Sequence, residues 1–256
     1  MSKIISICNQ KGGVGKTTTT VNLGVSLAAK GYRVLLVDCD PQGSLTRSFG
    51  YDPDGLELTM SNALLSVMQG VSVPDIVLSH SEGVDIVPSN ITLAGTELAL
   101  VTAMSRETIL KRYLSMFDGY DYILIDCLPS LGMILQNALS ASNGIIIPVN
   151  PEYLPVTGLE QLLDTILRIR AYINPNLEIY GIVLTRVNMR TNLSKQVVDF
   201  LKESFGDNIL IYQSQIPEAV KAAEAPLKGY SIFTHDPRGK VAKAYNALSE
   251  EVISND

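Results

Sequence analysis

The sequence predicts an α/β fold in which helices cover both faces of a mostly parallel, twisted sheet. Several short segments, such as "RVLLVD" and "GIIIPV", are apolar throughout instead of alternating with polar residues. Such segments are typical of strands that are buried on both faces, as the strands of a parallel sheet are. Longer segments with helical spacing lie between them, and this alternation of strand and helix indicates the α/β class.

The first elements of the chain set this pattern. The apolar run "KIISIC", residues 3–8, predicts a buried strand. Val21, Val25 and Ala28 then recur at i, i+4 and i+7, which predicts a helix that Gly31 is placed to end. The run at 33–38 predicts the next strand.

The rest of the chain continues the alternation. Further apolar runs predict strands over 84–89, 120–127, 144–150, 178–187 and 208–213. Helical spacing predicts helices over 92–117, 155–173, 192–204 and 237–253. Residues 50–83 are rich in turn formers, and we expect short helices and loops there. Because no repeat, linker or boundary divides the chain, we expect a single domain over residues 1–256.

Composition and charge argue against two broad classes of protein. Of the 256 residues 46% are hydrophobic, which is enough to fill a sizeable core. The net charge of −6 argues against a polybasic nucleic-acid binder, and no apolar run is long enough to span a membrane. Residues 186–243 nevertheless hold nine Lys and Arg against six Asp and Glu, a weak indication of a local anionic partner.

A glycine-rich loop, "NQKGGVGKTTTT", joins the first strand to the first helix. Glycines in this context let the main chain curl so that its N–H groups face an anion, and the helix N-terminus adds its dipole. Lys16 can then reach the β- and γ-phosphates of a nucleotide, and the Thr17 hydroxyl is placed to bind Mg²⁺. We therefore predict ATP and Mg²⁺ as ligands. The predicted nucleotide-binding residues of the loop are Gly12, Gly13, Val14, Gly15, Lys16, Thr17 and Thr18.

The loop departs from the usual phosphate-loop pattern in two ways. That pattern requires glycine five residues before the final glycine, where this chain has Gln10. A second lysine, Lys11, also stands five residues before Lys16.

Two later strands end in acidic residues at the sheet edge where open α/β proteins bind ligands. The segment "LLVDCDPQG" places Asp38 and Asp40 there, and "YILIDCLPSLG" places Asp126 after four apolar residues. A carboxylate at such a strand end is expected on the Mg²⁺ side of a P-loop nucleotide hydrolase. The alternatives are a helix cap for Asp126 and simple turn formation for Asp40, since "DPQG" suits a turn.

These motifs together resemble those of the ParA/MinD family, the P-loop ATPases with a deviant Walker A loop. The resemblance covers nearly the whole chain and is greatest to the short, Soj-type partition ATPases. It implies hydrolysis of ATP to ADP and phosphate, an ATP-dependent homodimer, non-specific binding of double-stranded DNA and a ParB-like partner. It also implies a cytoplasmic, nucleoid-associated protein without membrane binding. The motifs that carry it are "KGGVGKTTTTVNLG", "VLLVDCDPQGS", "YDYILIDCLPSLG", "PVNPEYLPVTGLEQLL", "MRTNLSKQVV" and "EAPLKG".

The resemblance also implies a role for the second lysine. In this family the first lysine of "KGGVGKT" reaches the nucleotide of the partner protomer, so Lys11 is expected to cross the dimer interface while Lys16 binds in its own protomer. Two facing ATP molecules would repel each other, and a lysine from each side offsets that repulsion. The alternative for Lys11 is a solvated loop lysine.

Further site residues follow from the same resemblance. It implies that Asp40 orients the attacking water, that Asp38 supports Mg²⁺ through its coordination shell, and that Asp126 ends the Walker B strand. Glu152 is expected to contact the nucleotide or the partner protomer, and Pro217 to lie along the adenine ring.

The expected DNA contacts lie in the basic C-terminal third. Arg190 in "MRTNLSKQVV" matches a DNA-contact arginine of the family, and Lys221 falls where relatives carry a second one. Glu218 stands where relatives have another arginine, which weakens the expected patch. The alternative for Arg190 and Lys221 is that they are only solubilising surface charges.

A second departure from the family pattern lies at the nucleotide site, where Leu128 replaces a proline that often follows the Walker B acid.

Three other functions are alternatives to partition. A MinD-like membrane-positioning ATPase would end in a basic amphipathic helix. Here the last helix has an apolar stripe that packing on the core explains better, and its tail is acidic. That stripe consists of Val241, Tyr245, Leu248 and Val252.

The remaining alternatives are enzymes of other classes. A biosynthetic P-loop ligase or synthetase needs a small-molecule pocket that the sequence does not indicate. An iron–sulfur reductase needs bridging cysteines, whereas Cys8, Cys39 and Cys127 lie in or beside the predicted nucleotide-site strands. Because the chain starts just before its first strand, we also expect no N-terminal helix-turn-helix domain and no operator binding.

Overall fold

In the computed structural model, which describes residues 2–151, 156–188 and 192–255, the strands form one sheet with the order β3-β4-β2-β5-β1-β6-β7-β8. Strand β3 pairs antiparallel with β4, and the other neighbours are parallel. The predicted α/β class is confirmed. The strands are β1 (Lys3–Ile7), β2 (Val34–Cys39), β3 (Leu78–Ser79), β4 (Val84–Val87), β5 (Tyr122–Cys127), β6 (Gly144–Val149), β7 (Glu178–Val187) and β8 (Ile211–Pro217).

Helices cover both faces of this sheet. One face packs mainly against α3 to α8, and the other against α1, α2, α10 and α11. Helix α9 follows β8 in the chain and has no buried residue. The helices are α1 (Lys16–Ala29), α2 (Ser44–Ser48), α3 (Met60–Gln69), α4 (Thr92–Thr102), α5 (Ile109–Leu114), α6 (Met133–Ala141), α7 (Val156–Tyr172), α8 (Asn192–Phe205), α9 (Val220–Glu224), α10 (Ile232–His235) and α11 (Lys240–Ser254).

Strand β2 shows why the strands are apolar throughout. Successive side chains of a strand point to opposite faces. Leu35 and Val37 belong to the core on one side of the sheet, while Val34 and Leu36 belong to the core on the other. Both sets are buried, so neither face tolerates the polar alternation of a solvent-facing strand.

The predicted helix over 92–117 is wrong, because the structure divides it into α4 and α5. Ser105 adopts the left-handed conformation with φ 51°, and one 3₁₀ turn, Arg106–Thr108, follows it. The Arg106 guanidinium donates to the carbonyl of Val101 at 2.8 Å, which satisfies a group at the end of α4. The apolar spacing continues across this break, so the spacing alone could not reveal it.

The predicted strand over 208–213 begins later than expected. The N–H groups of Asn208 and Ile209 both donate to the carbonyl of Phe205, which closes the end of α8 instead of joining the sheet. Strand β8 therefore starts at Ile211 and continues to Pro217. This shift brings the end of β8 level with the end of β7, where Val187 pairs with Pro217.

Candidate nucleotide-binding site

The glycine-rich loop runs from the end of β1 to the start of α1, as predicted. Gly13 and Gly15 have φ of 72° and 83°, a region where residues with a Cβ are strained. The Gly15 carbonyl accepts the first helical hydrogen bond, from the Thr19 N–H at 2.8 Å. The loop N–H groups at the start of a 14-residue helix therefore form an anion-binding cradle.

Lys16 is buried under this loop. Only 7% of the residue is exposed, and its Nζ donates to the main-chain carbonyl of Lys11 at 3.0 Å. Burial lowers the pKa of Lys16, while the nearby Asp126 acts in the opposite direction. A cation with few solvent contacts gains strongly from an anion that enters the cradle.

Thr17 and Asp126 form a hydrogen-bonded pair across the site. The Thr17 hydroxyl donates to the Asp126 carboxylate at 2.7 Å, although 109 residues separate them in the sequence. Asp126 is 1% exposed, and burial raises its pKa well above the ordinary value, with the neighbouring Asp38 carboxylate adding to the rise. The carboxylate thus orients the hydroxyl that the sequence assigned to Mg²⁺.

Asp38 lies beside Asp126 on the adjacent strand, where the two residues are register partners. One carboxylate oxygen accepts bonds from the Thr46 N–H and hydroxyl at 2.9 and 2.8 Å, and the other accepts the Asp40 N–H at 3.1 Å. Burial raises the pKa of Asp38 to about 6 in spite of these bonds. The network fixes the segment between β2 and α2, which carries Asp40.

Asp40 serves as a turn former and still lies at the site edge. Its carboxylate accepts the Gln42 N–H at 2.9 Å, and its carbonyl accepts the Gly43 N–H at 2.9 Å. Gly43 has φ 62°, and a Cβ there would lie 2.8 Å from the Ser89 carbonyl oxygen. The role of Asp40 in the turn is therefore compatible with its expected catalytic role, because the turn holds the carboxylate in place.

These side chains suit a Mg²⁺ ion that is bound together with a nucleotide, and not a metal ion that is held by protein ligands alone. Among the residues that the structure describes, no group of three or more His, Cys, Asp and Glu is arranged to hold a metal ion. Magnesium commonly takes one or two protein oxygens together with phosphate oxygens and water. The Thr17 hydroxyl would provide the direct protein ligand, with Asp126 and Asp38 in the surrounding shell.

Strand β7 contributes contacts to the loop that the sequence did not predict. The Thr185 hydroxyl donates to the Val14 carbonyl at 2.7 Å. The Arg186 guanidinium lies 3.5 Å from the Gly13 carbonyl oxygen and 2.9 Å from the Glu218 carboxylate. The main chain of Arg186 has φ 52°, which is uncommon for a residue with a side chain. The sequence feature that could have indicated these contacts is "LTRV", because this segment ends a strand at the edge of the sheet where ligands bind.

The remaining predicted site residues, two DNA contacts and two nucleotide or dimer contacts, are only partly among the described residues. Arg190 and Glu152 lie outside the described residues. Lys221 is on α9 at the surface, where its Nζ donates to the Asp236 carboxylate at 2.9 Å. The Asp236 carboxylate thus already offsets the charge of Lys221, the second predicted DNA contact. Pro217 ends β8 at the same sheet edge as the loop.

Comparison with known proteins places the chain in a family. A family model described as an AAA domain matches residues 2–179. The sporulation initiation inhibitor protein Soj of Bacillus subtilis is 46% identical over the full length of both chains. The chromosome partitioning protein ParA of Caulobacter vibrioides is 38% identical over 99% of this chain and 95% of its own. The chain belongs to the ParA/MinD family of P-loop ATPases, as a Soj-type member.

A solved structure extends this family likeness to the fold. The structure of a cobyrinic acid a,c-diamide synthase from Mycobacterium smegmatis, with bound ADP and magnesium, has a TM-score of 0.86 and 34% identity. The alignment covers 99% of this ATPase and 94% of that chain. The nucleotide loop found from the sequence therefore lies in a fold that carries such a ligand in a related protein.

The last helix of this Soj-type ATPase packs on the core, as its apolar stripe predicted. Within the described ranges, no helix combines the length and the apolar character that crossing a membrane requires. The four stripe residues are all at most 2% exposed, namely Val241, Tyr245, Leu248 and Val252.

Proposed function

We propose that this protein is a partition ATPase that binds DNA as an ATP-dependent dimer and segregates a DNA cargo. The observation that carries the proposal is a phosphate loop in which the main chain of Lys11 contacts the Lys16 ammonium, in a chain similar to Soj along its whole length. The predicted cofactors, ATP and Mg²⁺, are confirmed at the level of the family by the ADP and magnesium of the M. smegmatis structure.

Hydrolysis would use the side chains that the structure brings together at this site. Lys16 and the loop N–H groups bind the β- and γ-phosphates, and Thr17, oriented by Asp126, holds Mg²⁺. When bound, Mg²⁺ would neutralise charge that develops on the phosphates. Asp40, fixed by its turn, orients the water that attacks the γ-phosphate.

Dimerisation would bring the two nucleotide sites face to face. Lys11 lies at the sheet edge that carries the nucleotide, and its side chain would reach the phosphates of the partner protomer. Glu152 would contribute a further contact there. A cation donated across the interface makes dimer stability depend on ATP, because it offsets the repulsion between the two nucleotides.

The DNA surface would be formed by Arg190, Lys221 and neighbouring cations, doubled in the dimer. A few phosphate contacts per protomer suffice for binding without sequence preference. A ParB-like partner would stimulate hydrolysis and release the protein from DNA. Such a protein would reside in the cytoplasm on the nucleoid.

The test is DNA binding by the Asp40→Ala variant, which should hold ATP without hydrolysing it. Mobility shifts on two unrelated duplexes should show ATP-dependent binding that weakens steeply as salt rises. Arg190→Ala should weaken that binding at every salt concentration, while light scattering shows an unchanged dimer. Equal binding with and without ATP, or a strong preference between the duplexes, would count against partition.

The name of the M. smegmatis neighbour makes amide synthesis the second candidate. It predicts ATP hydrolysis that depends on a carboxylic acid acceptor and an amide donor, with no response to DNA. The MinD-like alternative predicts that the protein pellets with anionic liposomes in the presence of ATP. Parallel assays with cobyrinic acid and glutamine, with DNA and with liposomes therefore separate the three functions.

A further inference from the structure

Asn9 lies directly before the two lysines of the loop and is 5% exposed. Its side-chain amide makes two good hydrogen bonds. Nδ2 donates to the Pro148 carbonyl at 2.7 Å, and Oδ1 accepts the main-chain N–H of Lys11 at 3.0 Å. The amide thus uses its donor and its acceptor on two different segments of the chain.

These bonds connect the loop to the end of β6. The N–H of Cys8 donates to the Ile146 carbonyl at 3.2 Å, so the chain is still paired with β6 just before Asn9. Asn9 extends this connection to Pro148, two residues further along β6, and bonds Lys11, two residues further along the loop. The amide thus joins the start of the loop to β6.

The peptide groups of Lys11 are held at both ends. Asn9 accepts its N–H, and the Lys16 ammonium donates to its carbonyl at 3.0 Å. Next to it, the Gln10 side-chain oxygen lies 3.6 Å from where a Cβ of Gly158 would be, so this side chain packs against the start of α7. The main chain therefore has little freedom at the residue whose side chain has to reach another protomer.

We infer that Asn9 is a positioning residue for Lys11, required for ATP-dependent dimerisation but not for binding of ATP within one protomer. This inference rests on the proposed cross-dimer role of Lys11. Fixing the main chain of Lys11 in advance removes an ordering cost that would otherwise fall on dimer formation. The phosphate cradle itself is formed by Gly13, Gly15 and Lys16, none of which contacts the Asn9 amide directly.

Asn9→Ala should weaken the ATP dimer about tenfold, which corresponds to the loss of about one net hydrogen bond. The measurement is the dimer dissociation constant by analytical ultracentrifugation with Mg²⁺ and ATP, in an Asp40→Ala background that prevents turnover. ATP affinity measured on monomer, at protein concentrations far below that constant, should stay within about twofold of the parent. A proportional loss of ATP affinity would overturn the inference, because Asn9 would then support the whole loop.

Asn174→Ala is the matched control. Asn174 is 7% exposed and its side-chain amide also makes two hydrogen bonds, to the carbonyls of Leu139 and Ser142 at the end of α6, but it lies just before β7 at the opposite edge of the sheet. This variant should lose thermal stability like Asn9→Ala yet keep the dimer constant of the parent. If it weakens the dimer equally, the effect of Asn9→Ala is only structural and the inference fails.

A double-mutant cycle separates this inference from the function on which it rests. If Asn9 acts through Lys11, Asn9→Ala should have no further effect on dimerisation in a Lys11→Ala background. If the double variant instead shows the product of the two single effects on the dimer dissociation constant, Asn9 acts independently of Lys11 and the inference fails. A Lys11→Ala variant that dimerises like the parent would instead refute the cross-dimer role. Should Asn9→Ala fail to fold by circular dichroism, Asn9→Ser, which keeps a short hydrogen-bonding side chain, replaces it in the same cycle.

Discussion

The nucleotide loop and the surface around α9 both place lysines where a phosphate is expected, but in opposite surroundings. Lys16 is 7% exposed and lies between main-chain groups and a buried carboxylate. The side chain of Lys221 is 58% exposed and pairs with the half-buried Asp236. We therefore expect a lysine to contribute much to phosphate binding in the loop and little at α9.

The difference follows from the solvent around each charge. In the loop, low polarity strengthens every interaction with an entering phosphate, and few water molecules compete. At α9, water and salt screen the charge, and an exposed ion pair contributes about 0–1 kcal/mol. We therefore expect nucleotide binding at the loop to depend on single residues, and the proposed DNA binding at the surface to depend on the summed charge of many.

The largest effect is expected for Lys16→Ala. Removal of the buried ammonium takes the main cation away from the β- and γ-phosphates and should reduce ATP affinity by about 100-fold or more. Titration calorimetry with Mg²⁺ and ATP measures this directly. Lys221→Ala, the same change in the exposed region, should leave ATP affinity unaltered. Near-normal affinity of the Lys16 variant would contradict the assignment of the loop.

Asp40→Ala should affect turnover rather than binding. The carboxylate is proposed to orient water, so hydrolysis should fall by about 10²-fold or more while ATP affinity is preserved. Single-turnover kinetics with DNA present give the rate of the chemical step. Unchanged hydrolysis would remove Asp40 from the mechanism and leave it with the turn alone.

Thr46→Val should raise the pKa of Asp38, which burial already places at about 6. The substitution keeps the shape of the side chain and removes a hydroxyl that donates to the charged carboxylate. Carboxyl ¹³C chemical shifts, followed against pH in Mg²⁺-free buffer, report the change. A constant or lower pKa would mean that the hydroxyl bond does not stabilise the ionised form.

The same pKa fixes the sign of a stability effect. The pKa of folded Asp38 lies above its ordinary value of 3.8, so the fold favours the protonated acid. This contribution to the free energy of unfolding is complete below about pH 4 and is lost as the pH rises through about 6. Because Thr46→Val raises the pKa further, its destabilising effect should be larger at pH 7 than at pH 4, which denaturant unfolding at both values would reveal.

The smallest effects are expected at the basic surface. Lys221→Ala should change DNA affinity by about twofold at most, because Asp236 already offsets its charge. Glu218→Arg should tighten binding several-fold, since it also removes the acid that pairs with Arg186. Filter binding over a salt series with Asp40→Ala protein measures both. A loss of affinity in the Glu218 variant would place the DNA surface elsewhere.

The sequence by itself determined the position of the glycine-rich loop and the class of the fold. Gly13, Gly15, Lys16 and Thr17 lie close together in the sequence, between a strand and a helix, so covalent spacing alone brings them together. The apolar strands likewise indicated burial on both faces, because the polarity of each residue reflects whether its own side chain is buried. Where a local signal was missing, as at the break between α4 and α5, the prediction was wrong.

Only the tertiary structure decided which distant residues meet. The bond between Thr17 and Asp126 requires that β5 lie next to β1, and the amide of Asn9 reaches Pro148 because β6 lies on the other side of β1. The contact of Arg186 with Glu218 depends in the same way on β7 beside β8. Strand order is set by the packing of whole helices on the sheet, and no short stretch of sequence contains that information.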